Sequence, residues 1–126
     1  MQNRLSRIIK PKTGRTVMLA VDHGYFLGPT TRLESPRKTI GPLLPYADSV
    51  MLTRGVLRTS VDANIETPVV LRISGGTSIL KELSNEGITT SIEEAVRLNV
   101  CAVAMSIFVG AAVSYTHLTL PTKRIV

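Results

Sequence analysis

The sequence predicts an α/β fold in which parallel strands alternate with helical connections, and three observations carry that prediction. Four short apolar runs recur along the chain, at residues 16–21, 48–53, 68–74 and 100–109. None shows period-2 alternation, so each reads as a strand covered on both faces, as in a parallel sheet. Between them stand segments with helix signals, the alternation that parallel βαβ units produce.

Taken in order, residues 1–15 read as a surface lead-in, with Pro11 and Gly14 of KPKTGR marking a turn before the first strand. That strand, TVMLAV, runs without a spacer into Asp22, His23 and Gly24. A carboxylate, the side chain that titrates nearest neutrality and a residue free to turn sharply thus meet at a strand's C-terminal end. Two readings are open there: a chemical site, or a turn in which Asp22 caps backbone amides and His23 packs on the following loop. In residues 34–46, Ser35 followed by Pro36 suits an N-cap and first helical position, while Gly41, Pro42 and Pro45 keep the helix short. The second strand, DSVMLT, leads into Arg54-Gly55 and the helix-like VLRTS, with Arg54 either capping a helix or facing solvent. The third, PVVLRIS, ends at Gly75-Gly76, and TSILKELSNEGITT after it reads as a loop or short helix. Residues 91–99, SIEEAVRLN, make the clearest helix. Ser91 and Glu94 fit a capping box, Ile92, Ala95, Val96 and Asn99 fall at helical spacing, and Asn99 ends it before the fourth strand.

Each strand end carries polar or glycine residues: Asp22-His23-Gly24, Thr53-Arg54-Gly55, Arg72 with Ser74 and Gly75, and Ser106. That recurrence suits a (β/α)8 TIM barrel, whose active site is built from all the strand C-terminal ends. Such a barrel takes about 250 residues, so the first four β/α units make half of one. The expected organisation is a lead-in at 1–15, the N-terminal half of the barrel at 16–112 and a non-native tail at 113–126. The tail, VSYTHLTLPTKRIV, has neither helical period nor sustained alternation, and residues 113–122 resemble the in-frame translation of a transposase sequencing-library adapter. Without Lys123 and Arg124 the formal charge falls from +6 to +4, and without His117 the only histidine is His23.

Composition narrows the function classes. The cations cluster only within the first 15 residues and are scattered beyond them, so nucleic acid is not an expected partner. The single Cys101, within VCAVAM, has no internal disulfide partner and reads as a core thiol in a reducing compartment. The opening MQNRLSRIIK leads into no apolar signal region, and no apolar run approaches the roughly 18 to 20 residues that span a bilayer. A soluble cytoplasmic protein with no membrane partner is expected. Nor is a metal expected, because no His or Cys cluster has ligand spacing.

The strings NRLSRI, PKTG, TVMLA, DHGYF and GPTT, then TRG, PVVLR, SIL, ELSNE, AVRLN and CAVA, are more specific than any single motif. Through them nearly all of residues 1–110 resembles the DhnA-type class I aldolase family. The resemblance implies a barrel enzyme with a Schiff-base lysine, acting on a phosphorylated ketone. Such an enzyme either cleaves a carbon–carbon bond reversibly or moves an acetyl group to coenzyme A as co-substrate, with no bound cofactor and with full-length chains assembled as homo-oligomers. It places that lysine on the sixth strand and the phosphate pocket after strands seven and eight, past the fourth strand of this chain. Lys10, Lys12, Lys38, Lys81 and Lys123 are the lysines present, and none ends a buried strand, where desolvation could activate an amine. The chain by itself is therefore expected to be inactive.

Under the same resemblance, Asp22 is the strand-one acid that orients a substrate oxygen or assists proton transfer, and His23 is the candidate general acid or base. Arg72 ends an otherwise apolar strand. Its planar fork either meets a substrate phosphate or pairs with a neighbouring strand's acid, the second being favoured. Ser74 and Gly75 stand beside it as candidate substrate contacts, with Gly75-Gly76 either offering amides to an anion or making a tight turn. The competing reading is a non-catalytic half-barrel that dimerises into a binding module. An open edge strand would also expose such a chain to aggregation.

Overall fold

The structure, a computed structural model, describes residues 2–28, 30–76 and 86–108. In chain order its strands are β1 (Met18–Ala20), β2 (Ser49–Thr53), β3 (Val69–Arg72), β4 (Ser74–Gly75), β5 (Gly87–Ile88) and β6 (Ala102–Ala104). β1, β2, β3 and β6 pair side by side in that order, all parallel, and β4 with β5 forms a separate antiparallel pair. The helices are α1 (Gln2–Ile8), α2 (Gly24–Leu27), α3 (Pro36–Leu43), α4 (Arg54–Ser60) and α5 (Ile92–Arg97).

The register explains both the core and the site. Ala20 pairs with Met51, Met51 with Val70, and Val70 with Ala102, so the residues two positions on, Asp22, Thr53, Arg72 and Ala104, share one level. Side chains alternate along a strand. One face therefore carries Val21, Val50, Leu52, Val69, Leu71 and Ile73, which pack with Ile40 of α3, Ala95 of α5 and Val100 into the core. Val50, Leu52 and Leu71 are fully buried there. The opposite face carries Ala20, Met51, Val70, Ala102 and Ala104, and turns polar at the strand ends with Asp22, Thr53, Arg72 and Ser106.

Two of the four strands are less covered than their apolar composition predicts. β1 is exposed at Met18 and Ala20, Val17 before it is exposed, and β6 is exposed at Val103. The cause is position: among the described residues these are the two edges of the sheet, each with a single neighbour, whereas β2 and β3 lie between neighbours and are buried. Cys101, expected in the core, is for the same reason only half-buried before edge strand β6.

The lead-in is more ordered than a surface segment. Residues 2–8 form α1, Ile8 is buried, and Arg4 donates from Nη1 to the Val100 carbonyl at 3.2 Å. The expected turn follows, with Lys10 paired to Arg15 and Gly14 at φ +65°, a conformation that costs glycine little. Thr53 caps α4 by accepting from the Val56 amide, and Ser91 caps α5 by accepting from the Glu94 amide. Only half of the expected capping box forms, because the Glu94 carboxylate turns to Arg54 Nη1 at 2.6 Å. Arg54 faces solvent, with its side chain 44% exposed, and through this ion pair also ties α4 to α5. Ser35 holds the N-cap position of α3 without a side-chain bond, and the helix runs through Gly41 and Pro42 to Leu43. Asn99 ends the α5 segment at φ +53°, a left-handed residue that closes a helix as glycine does.

One surface acid supports the entry to β1. Asp48 accepts the Val17 amide at Oδ2, 2.9 Å, and its Oδ1 lies 3.3 Å from Lys10 Nζ. The Val17 hydrogen bond holds the Asp48 carboxyl below its ordinary value, with Lys10 adding to the effect and desolvation opposing it. A carboxylate whose pKa is depressed on folding stabilises the fold above its unfolded pKa of about 3.9. That contribution is lost as pH falls through the folded value. The urea midpoint of Asp48→Asn is therefore expected to lie below that of the parent at pH 6 and to converge with it as pH falls below about 4. An offset that persists unchanged into acid would show that Asp48 charge is not what matters.

Candidate active site at the strand ends

The sheet delivers its polar groups to one end. Beyond β1, Val21 continues the ladder by donating its amide to the Met51 carbonyl at 2.8 Å, which holds Asp22 over the end of the sheet. Asp22 is buried at 5% exposure, and His23 occupies the N-cap position of the four-residue α2. β3 carries Arg72 to the same level two strands away. The β4–β5 pair folds Glu86 back against Arg72, and the segment after β6 brings in Ser106.

Arg72 is the centre of this arrangement. Nε donates to the Ser74 carbonyl at 3.1 Å, Nη1 to Asp22 Oδ2 at 3.3 Å, and Nη2 to both carboxylate oxygens of Glu86 at 3.0 Å each. Nη2 also meets Ser106 Oγ. The Arg72, Asp22 and Glu86 side chains are 11%, 7% and 6% exposed, so one cation lies between two carboxylates in a largely dry setting. Arg72 thus pairs with acids, but not with one on a neighbouring strand: Asp22 follows β1, two strands away, and Glu86 stands just before β5.

The predicted residues are brought together, and most are already engaged. Asp22 gives Oδ2 to Arg72, while its Oδ1 lies 4.0 Å from His23 Nδ1. Its carboxylate is thus aimed across the site, not at the following amides as a simple turn cap would require. His23 is 46% exposed on its side chain, with Nδ1, the nitrogen nearer Asp22, buried. Ser74 donates from Oγ to Glu86 Oε2 at 2.6 Å and accepts the Ser106 amide at 3.0 Å, which leaves its hydroxyl committed within the protein. Gly75 pairs with Gly87 in the antiparallel pair and lines a hollow of about 310 Å³ with Thr53, Arg54, Arg72 and Thr90. A second hollow, of about 400 Å³, lies on the Asp22 side between Gly24, Leu33 and Thr53.

Glu86 is the participant that sequence reasoning missed. It stands in ELSNEGITT with no period or motif to mark it, and only the chain reversal at β4–β5 places it against an arginine fourteen residues back. The one available signal was a buried arginine, whose fork outmatches a single carboxylate. Of the lysines, Lys10 pairs with Asp48, and Lys12 and Lys38 are exposed; Lys81 and Lys123 lie outside the described residues, as does the tail at 113–126. Among the described residues no group of three His, Cys, Asp or Glu side chains is placed to hold a metal ion, and no helix is long and apolar enough to cross a membrane.

No family model matches the chain. Among curated proteins it is 57% identical over 117 residues to a 3-hydroxy-5-phosphonooxypentane-2,4-dione thiolase from Photorhabdus laumondii, covering 93% of this chain and 40% of that protein. A protein of the same name from Yersinia pseudotuberculosis is 59% identical over 110 residues, covering 87% and 38%. The Escherichia coli protein of that name is 57% identical over 117 residues, covering 93% and 40%. The chain thus spans about 40% of the length of the curated relatives it matches. Among solved structures, a Schiff-base-forming fructose-1,6-bisphosphate aldolase superposes with a TM-score of 0.73 at 25% identity, covering 90% of this chain and 47% of that one. An archaeal fructose-1,6-bisphosphate aldolase gives 0.67 at 25% identity, with 90% and 46% covered. The four-stranded parallel sheet is accordingly the first half of a (β/α)8 barrel.

Proposed function

We propose, from the premise that this chain belongs to the DhnA-type class I aldolase family, that it is the N-terminal part of a thiolase. The full-length enzyme would transfer an acetyl group from 3-hydroxy-5-phosphonooxypentane-2,4-dione to coenzyme A. The observation that carries the reading is identity of 57–59% to proteins of that name over nearly the whole chain. The strand-end cluster supports it, because barrel enzymes of this class work at that end.

In this reading the chain supplies the first-strand half of the site. Asp22, with Oδ2 held by Arg72, presents Oδ1 toward His23 and the open side of the sheet. There it orients a substrate hydroxyl or carbonyl and takes part in proton transfer. His23, within reach of both Asp22 and solvent, carries the proton as general acid or base. The nucleophilic amine comes from a later strand, so residues 1–126 alone are inactive, and the phosphate is held by loops beyond this chain. Residues 113–126 are a non-native tail in the same reading, and the full-length enzyme is a cytoplasmic homo-oligomer.

A second reading has its own support. The solved structures that superpose on the chain are fructose-1,6-bisphosphate aldolases, which makes reversible carbon–carbon cleavage without coenzyme A the alternative. The test begins by resequencing the locus past the codon for Ala112 and expressing the continued frame beside the 126-residue chain. Thiolase chemistry predicts acetyl-coenzyme A only when the phosphorylated dione and coenzyme A are both present, and borohydride trapping of substrate on the full-length protein alone. Cleavage of fructose-1,6-bisphosphate without coenzyme A would favour the aldolase reading. Borohydride trapping on the 126-residue chain would overturn the assignment of the amine to a later strand.

A further inference from the structure

We propose that Glu86 is a positioning residue: with Asp22 it clamps Arg72 between two carboxylates, so that Arg72 orients Asp22 and does not receive a substrate phosphate. The proposal rests on the reading of Asp22 as the strand-one acid.

Three features carry it. First, each nitrogen of the Arg72 guanidinium is engaged: Nε by the Ser74 carbonyl, Nη1 by Asp22, and Nη2 by Glu86 and Ser106. A phosphate could take the fork only by displacing a carboxylate that is itself 6–7% exposed. Second, the charge is already matched, since one cation faces two acids and the cluster offers no surplus positive charge to an anion. Third, Glu86 is fixed from behind. Ser74 Oγ donates to Glu86 Oε2 at 2.6 Å and accepts the Ser106 amide at 3.0 Å. A continuous hydrogen-bonded path therefore runs from the segment after β6, through Ser74, Glu86 and Arg72, to Asp22 Oδ2. It ends by leaving Oδ1 as the oxygen turned to His23. Glu86 reaches Asp22 through Arg72.

The decisive substitution is Glu86→Gln in the full-length enzyme, because it keeps the shape and removes one carboxylate charge from the clamp. Misplacement of a reacting group by about 1 Å costs roughly 100-fold in rate, so kcat is expected to fall about 10- to 100-fold. KM for the phosphorylated ketone should stay within about threefold, the pattern of a lost transition-state interaction. Arg72→Lys should show the same split, and Arg72→Lys with Glu86→Gln should cost little more than the worse single change, as members of one unit do. A rise in KM with kcat preserved in Arg72→Lys would overturn the proposal by making Arg72 a phosphate ligand. Fully multiplicative losses would overturn it by making Glu86 independent of Arg72. Crystal structures of the parent and of Glu86→Gln give a readout that does not depend on the activity. Arg72 should bridge Asp22 and Glu86 in the parent and shift from position 86 toward Asp22, its remaining carboxylate partner, in the variant. A parent structure with the Arg72 fork on a bound anion overturns the clamp. Absence of thiolase and aldolase activity in the parent, with the clamp present, overturns the functional reading instead.

Discussion

Arg72→Met is expected to destabilise the fold by about 3–5 kcal/mol, the cost of removing one partner from a buried ion pair. The pairing itself need not be strongly stabilising, because three charged groups had to be taken out of water to form it. The asymmetry is what matters: once the guanidinium is gone, Asp22 and Glu86 face each other's field with exposures of 7% and 6% and nothing to compensate them. Methionine keeps much of the aliphatic stem, so the loss reads the head group and not a cavity. Arg72→Lys should lose less, since a cation remains, but a single ammonium cannot reproduce contacts to Asp22, both Glu86 oxygens and the Ser74 carbonyl at once. Urea unfolding of the three proteins followed by circular dichroism at neutral pH makes the comparison. A loss below about 1 kcal/mol for Arg72→Met would place the pair in the class of exposed salt bridges and remove the physical basis of the cluster. Domains of this size are stable by only about 5–15 kcal/mol, so the expected loss is a large share of the whole.

The cluster also marks how far the sequence could be read. Parallel strands were legible because β2 and β3 are apolar on both faces, and the register then places Thr53 and Arg72 side by side at their ends. Thr53 and Ser91 were legible as caps or strand ends because a short hydroxyl before a helix has one main use, to accept an amide. Exposure of β1 and β6 was not legible, since burial of a strand depends on neighbours that its own residues do not specify. α1 was missed for a related reason: of its apolar residues Ile8 is buried but Leu5 is 57% exposed, so the helix has a single anchor and no apolar stripe to read. Asp22 and Arg72 were each identifiable as a charge at the end of an apolar run. Their meeting across fifty residues, and the arrival of Glu86, are properties of topology. Local pattern shows which residues are costly to bury; the fold decides which of them share that cost.

The largest purely apolar effect is expected at Leu71→Ala, with a loss of about 2–5 kcal/mol. Leu71 is fully buried, pairs in register with Leu52 on one side and Val103 on the other, and belongs to the cluster formed with Ile40, Ala95 and Val100. Truncation removes a buried side chain where the surrounding strands are held by their ladders and collapse little into the space, which puts the cost toward the upper part of that range. Val103→Ala is the matched comparison. It lies at the same level on β6 but is 41% exposed, so its loss should stay under about 1 kcal/mol. The pair separates burial from strand propensity, because the β-branched valine is the better strand former and yet is the residue expected to lose less. Equal losses at the two positions would mean that β6 is covered in solution as β3 is, by another part of a longer chain or by a second copy. Dependence of the Val103→Ala loss on protein concentration would then distinguish these, since a second copy stabilises by mass action and a covalent neighbour does not.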